Sequence, residues 1–296
     1  MLKRVSERSG HLAAVYDLRA APDGFYSAAA DGYLVHWHQD DVDFGRVVAK
    51  VDGGKFLCMD VLEDGGLVAG ALDGGLHWLY PGDEERNRHL AHHRQGIFAL
   101  LRLEDDLFAV GGDGVLSRWS VRARSCRESL PLSANSLRCL AHDPVGDRLA
   151  FGASDGNIYL LDRKDLRLLA REKANQPSVF TLAFTADGQR LISGGRDAQL
   201  IEWDVSEASL RHLRTVPAHL STINKLALDP SGQYLATASR DKTIKLWRAA
   251  DLALLKVAEV VRDRGHVNSV NTLLWKDEQT LLTSGDDRRV LEWRVG

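Results

Sequence analysis

Three sets of residues in this chain have the types needed for nucleophilic catalysis. His11, Ser27 and Asp31 form the first, His219, Thr237 and Asp241 the second, and His266, Thr283 and Asp287 the third. An imidazole base, a hydroxyl nucleophile and an orienting carboxylate are the parts of a hydrolase triad. Two arguments turn these sets toward structure instead. The order His, hydroxyl, Asp recurs three times, which a single reaction centre does not need. No Gly-x-Ser-x-Gly stretch is present to hold a nucleophile on a sharp turn. No catalytic residue is therefore expected.

Other groups invite the same weighing. His89, His92 and His93 cluster, as do His36 and His38. Zinc needs three or four converging ligands, and His93 already fits a repeated position described below, so no metal site is assigned. Gly111-Gly112-Asp113-Gly114 and Ser193-Gly194-Gly195 lack the strand–loop–helix setting and the Lys-Ser/Thr ending of a phosphate loop, so no nucleotide cofactor is expected. The acidic runs Asp40-Asp41-x-Asp43 and Asp83-Glu84-Glu85 read as solvated loop charges.

A repeat positions these residues. In seven places an Asp is followed six residues later by Trp or Leu: Asp31 and Trp37, Asp73 and Leu79, Asp113 and Trp119, Asp155 and Leu161, Asp197 and Trp203, Asp241 and Trp247, Asp287 and Trp293. Upstream, His11, His93, His219 and His266 each precede apolar residues at +4 and +7, while Asp52, Ser133 and Asn175 hold the same place in the other units. Turn signals such as Pro22-Asp23-Gly24 and Asp187-Gly188 lie between the landmarks. Each unit reads as strand, turn, strand, Asp-centred turn, strand and a fourth strand, in about 40–45 residues, which is the signature of a propeller blade.

The expectation is an all-β chain: a seven-bladed β-propeller of four-stranded antiparallel blades, one domain over residues 1–296. Too few residues follow Trp293 for a seventh fourth strand. Leu2-Lys3-Arg4-Val5 before Gly10-His11 resembles Leu213-Arg214-Thr215-Val216 before Ala218-His219. The N-terminal strand is thus expected to complete the last blade, closing the ring and covering an open edge.

Leu235-Ala236-Thr237-Ala238-Ser239-Arg240-Asp241-Lys242-Thr243-Ile244-Lys245-Leu246-Trp247 resembles the core motif of the WD-repeat family, as does the stretch from Leu281 to Trp293. The resemblance runs through the whole chain, with Leu79 and Leu161 standing where Trp is usual. It implies that His, hydroxyl, turn Asp and Trp form a hydrogen-bonded chain inside a blade. The full sets would be His11, Ser27, Asp31, Trp37; His219, Thr237, Asp241, Trp247; and His266, Thr283, Asp287, Trp293. Ala69, Ala109 and Phe151 occupy the hydroxyl position elsewhere, and the Ser193, Asp197, Trp203 unit lacks the His.

The resemblance also implies a partner platform on the face carrying the fourth-to-first-strand loops. Its exposed positions fall three and five residues after the His position and one before the turn Asp. They give a partner-binding set of Tyr16, Lys55, Leu57, Phe98, Arg138, Phe180, Arg196 and Arg240, with Asn224 and Asn271 completing the ring. Aromatic anchors with Arg are the usual composition of an interaction hot spot. The implied function is a non-catalytic scaffold for a protein or peptide partner, an acidic one, with the domain itself monomeric inside a larger assembly. A propeller hydrolase with a channel metal and a nucleic-acid-binding propeller are the alternatives.

Composition limits these alternatives. The chain has 296 residues, 44% of them hydrophobic, and a formal net charge of −3. That balance gives no broad basic footprint for nucleic acid or an anionic membrane. Three cysteines, Cys58, Cys126 and Cys139, make no disulfide framework and suit a reducing, cytoplasmic setting. No apolar run approaches the length of a membrane span.

Overall fold

Every blade turns on the same aspartate. In each of the seven turns one carboxylate oxygen accepts the backbone N–H two residues on, from Tyr33 to Asp31 at 3.0 Å through Gly75 to Asp73 at 2.9 Å and Arg289 to Asp287 at 3.4 Å. This closed Asx turn reverses the chain without a partner from elsewhere. The residue after the Asp adopts a left-handed conformation in every blade, as glycine in the first four, for example Gly32 at φ 79°, and as Ala198, Lys242 and Arg288 in the last three, at φ 63°, 74° and 65°.

The structure is a computed structural model describing residues 2–41, 44–206 and 208–296, so Asp43 of the acidic run lies outside it. Seven four-stranded antiparallel sheets follow one another. Blade 1 is Val15–Ala21, Gly24–Ala29, Tyr33–His38 and Gly45–Lys50; blade 2 is Phe56–Val61, Leu67–Ala71, Gly75–Leu79 and Arg88–Ala91. The later blades begin at Ile97, Leu137, Val179, Ile223 and Val270. The helical residues among those described are a four-residue helix, Val260–Asp263, and a 3-10 turn, Glu84–Arg86. No helix of the described residues is long and apolar enough to cross a membrane.

The core is divided into seven apolar clusters, and each lies between two neighbouring blades. Val15, Phe25 and Trp37 of blade 1 meet Leu282 and Val290 of blade 7, while Phe56, Met59 and Leu79 of blade 2 meet Ala28 and Leu34 of blade 1. A blade is thus apolar on both faces and buries them only against its neighbours.

The ring closes as the sequence suggests. Leu2–Ser9 pairs antiparallel with Arg289–Val295 as the outer strand of blade 7, from Leu2 opposite Val295 to Ser9 opposite Arg289. Leu2 enters the apolar cluster between blades 6 and 7, and the buried Arg8 guanidinium meets Glu292 at 3.0 Å.

Candidate functional site: the channel mouth

Four blades carry a complete polar chain. In blade 1 His11 Nδ1 donates to Asp31 at 2.9 Å, the Ser27 hydroxyl meets His11 Nε2 at 2.7 Å, and the Trp37 indole N–H donates to Ser27 Oγ at 2.8 Å. His219, Thr237, Asp241 and Trp247 repeat it in blade 6, and His266, Thr283, Asp287 and Trp293 in blade 7. Each hydroxyl is fully buried and already accepts the indole N–H. No substrate carbonyl can reach these oxygens, so the three triad-like sets have the groups of a hydrolase without its access.

The fourth chain corrects the sequence reading. The sequence leaves blade 3 without a hydroxyl, because Ala109 holds that position, yet Ser117 on the next strand supplies one, with Oγ 2.8 Å from His93 Nε2 and 2.8 Å from Trp119 Nε1. Blades 4 and 5 find other substitutes. The Tyr159 hydroxyl donates to Asp155 at 2.7 Å, and the Asn175 amide donates to Asp197 at 2.9 Å. The carboxylate wants a second donor, and side chains of several types can reach it.

These anchored turns hold the inner strands, and each inner strand carries a bulge. Pairing with the second strand skips one residue in every blade: Tyr16, Leu57, Phe98, Arg138, Phe180, Asn224 and Asn271. A bulge leaves the extra residue out of the ladder and re-aims its side chain. All seven line one cavity of ≈ 610 Å³ at the mouth of the channel, and Lys55 lines it as well. Arg196 and Arg240 are exposed and stand outside that lining.

The seven positions differ in what they are free to do. The Asn224 amide donates to Val270 O of the next blade at 2.8 Å, and the Asn271 amide to Asp286 at 2.8 Å. Blades 6 and 7 therefore use the position to tie the rim. On the other side the Arg138 guanidinium lies 4.4 Å from the Phe98 ring centre and 5.5 Å from that of Phe180, with its Nε donating to Ser154 Oγ at 2.7 Å. Burial and the neighbouring Arg196 both act to lower the Arg138 pKa, so this edge of the mouth holds positive charge in want of an anion. Burial, reinforced by Asp286, pushes the Tyr16 hydroxyl above its usual pKa.

Residues below and around the mouth escaped the sequence reading. Arg19 and Lys225 line the same cavity. Arg19 is paired with Asp17 at 2.7 Å, but the Lys225 ammonium makes no hydrogen bond or ion pair among the described residues. Burial holds Lys225 below the ordinary lysine pKa, with Asp17 acting against the shift and Arg19 with it. Cys58 and Cys139 also face the cavity, and burial raises both thiols, Cys139 to about 12, so neither is a reactive thiolate. Outside the cavity, Leu12, Leu220 and Val267 each donate a backbone N–H to a turn Asp and leave an exposed apolar side chain. An apolar residue directly after the network His was the available sequence signal.

Comparisons with known proteins agree with this geometry. The family model described as WD domain, G-beta repeat, matches residues 167–204, 210–248 and 258–294. A WD repeat-containing protein of Arabidopsis thaliana, ATCSA-1, is 25% identical over 70% of this chain and 54% of its own length. Actin-interacting protein 1 of Caenorhabditis elegans is 21% identical over 97% of this chain and 48% of its own length. The pre-rRNA-processing protein IPI3 of Mycosarcoma maydis is 36% identical over a shorter stretch, 27% of this chain and 14% of its own length. The chain thus spans about half the length of the longer-matching relatives.

Proposed function

The chain carries WD40 repeats in a closed seven-bladed propeller, and on that premise we propose that residues 1–296 act as one non-catalytic domain, a scaffold that holds a protein or peptide at the channel mouth. The observation that carries this reading is the ring of bulges, which turns Tyr16, Leu57, Phe98, Arg138 and Phe180 out of their ladders and toward one cavity. Rings supply contact area at low entropic cost, and the exposed Leu72, which lines the same cavity, adds to the apolar surface.

The partner segment is acidic. Lys55 and Arg138 supply positive charge at the mouth and Lys225 below it, with Arg196 and Arg240 exposed outside the lining. A carboxylate there gains charge-assisted bonds, with Arg presenting its planar fork. Actin-interacting protein 1 is a relative whose own name records a protein partner. The hydrolase alternative has less to rest on. Among the described residues, the one cluster of three His, Cys, Asp or Glu side chains with metal-ligand spacing lies in blade 2 and includes none of the cavity residues. Free cysteines, two of them buried, suit the cytoplasmic setting.

The test uses the full chain on an array of peptides matched in length and hydrophobicity but differing in charge. Acidic peptides with an aromatic or aliphatic neighbour should be retained, and basic ones should not. Equal retention of both, or retention unchanged when Phe98 and Arg138 are replaced, would reject the mouth as the site.

A further inference from the structure

We propose that Asp73, His77 and His89 of blade 2 form a binding site for a borderline divalent transition-metal ion such as Zn²⁺, which does for this blade what the polar chain does for its neighbours. Asp52 stands in blade 2 where other blades have a donor to the turn Asp, and its side chain is exposed and paired with Lys50 at 2.7 Å. Asp73 accordingly keeps only the turn bond from the Gly75 N–H on Oδ1. Its other oxygen has no donor within hydrogen-bond distance among the described residues, and His89 Nε2 stands 3.9 Å from it.

Two histidines converge on that carboxylate. His77 and His89 are direct cross-strand partners, so their side chains leave the same face of the sheet. Their rings stack with centroids 4.4 Å apart. His77 is 6% exposed, and its Nε2 is buried without any hydrogen-bond partner. A buried orphan nitrogen costs free energy unless something fills its lone pair. One ligand atom from each of the three residues lies within 4.8 Å of the others.

The backbone makes room for this arrangement at one glycine. A Cβ on Gly75 would stand 2.1 Å from His89 Nε2. The missing side chain is what lets the His89 ring lie over the strand and reach the turn. Ligands bound at about 2.0–2.2 Å around a tetrahedral zinc stand about 3.3 Å apart. Asp73 and His89 are both largely exposed and can close that difference by side-chain rotation, while His77 stays fixed. Two imidazoles and one carboxylate suit zinc and its neighbours over magnesium or calcium, and leave a fourth position for solvent. The ion would tie the turn, the third strand and the four-residue outer strand Arg88–Ala91 together.

The test is calorimetric titration of Zn²⁺ into the full chain after treatment with chelator, alongside thermal melting with and without zinc. One ion should bind per chain and the melting temperature should rise. His89→Ala, at an exposed position, should lower the affinity at least tenfold and abolish the rise. Gly75→Ala removes no ligand, yet should do the same by displacing the His89 ring. His92→Ala, next to the cluster but bonded to Ser129 at 2.6 Å, should bind as the parent does. Absence of binding overturns the proposal. So does wild-type zinc affinity in both His89→Ala and Gly75→Ala, which would mark adventitious binding at histidines such as His36 and His38.

Discussion

Arg138 spreads its guanidinium over the ring of Phe98, 4.4 Å from its centre, and so fixes an aromatic and a cation side by side at the rim of the channel. Each belongs to a different blade, and each is the bulged residue of its inner strand. The pair is preorganised, so a partner that binds it does not have to order it first.

Replacing either member should weaken partner binding. Phe98→Ala should lower affinity about tenfold, roughly 1.4 kcal/mol. Arg138→Glu should slow association and reduce its dependence on salt, because the local attraction changes sign. Surface plasmon resonance with an acidic peptide from the array would measure both. Wild-type rate constants in Arg138→Glu would move the site off this edge.

The polar chains should show unequal weights. Asp241→Ala takes the carboxylate from His219, leaving its Nδ1 only the Thr243 hydroxyl at 3.1 Å, and should cost about 1–3 kcal/mol in urea unfolding. Asp73→Ala, in metal-free protein, should cost less, since that carboxylate serves only its own turn. Ser117→Ala should cost as much as loss of a network hydroxyl elsewhere, because it strands both His93 and Trp119. A neutral Ser117→Ala would contradict the assignment.

Removing residues 1–8 should destabilise the protein by several kcal/mol, since backbone pairing, the buried Leu2 and the Arg8–Glu292 ion pair are lost together. The same melting temperature in the truncated and full chains would refute the closure as a stabilising element.

Stability should fall as the solution is acidified, in two stages. Burial lowers the pKa of His11 and His219, outweighing the opposing pull of Asp31 and Asp241. Unfolded histidines take up protons near pH 6.5 while these folded ones do not, so stability drops as pH falls below about 6.5. For Asp241 and Asp287 burial acts to raise the pKa, but hydrogen bonds from His219 and His266 prevail and hold both well below the usual range. Their contribution is complete above about pH 4 and is lost as pH falls further. Thermal melts from pH 8 to pH 3 would follow both stages, and a flat profile between pH 7 and pH 5 would contradict the first.

The blade count and the closing strand were legible because the turn Asp recurs at a fixed distance from Trp or Leu, and local turn chemistry repeats with it. The substitutes were not. Ser117, Tyr159 and His77 all stand four residues after their turn Asp, on the third strand, where the repeat holds no fixed type. Whether such a side chain joins the polar chain depends on what the neighbouring strand leaves open. Lys225 was hidden for a related reason, since facing the channel is set by a bulge one residue earlier, at Asn224, which period-two alternation does not anticipate.

The closing strand also sets a schedule for synthesis. Leu2–Ser9 emerges from the ribosome long before its partner Arg289–Val295. At the usual pace of translation, about 5–20 residues per second, the wait is roughly 15–60 s. For that interval the first strand is a free β-edge, and blade 1 shows its apolar face with no blade 7 to cover it. The ring can lock only when Leu2–Ser9 and Arg289–Val295 are both present, so its last step joins the two strands most distant in sequence.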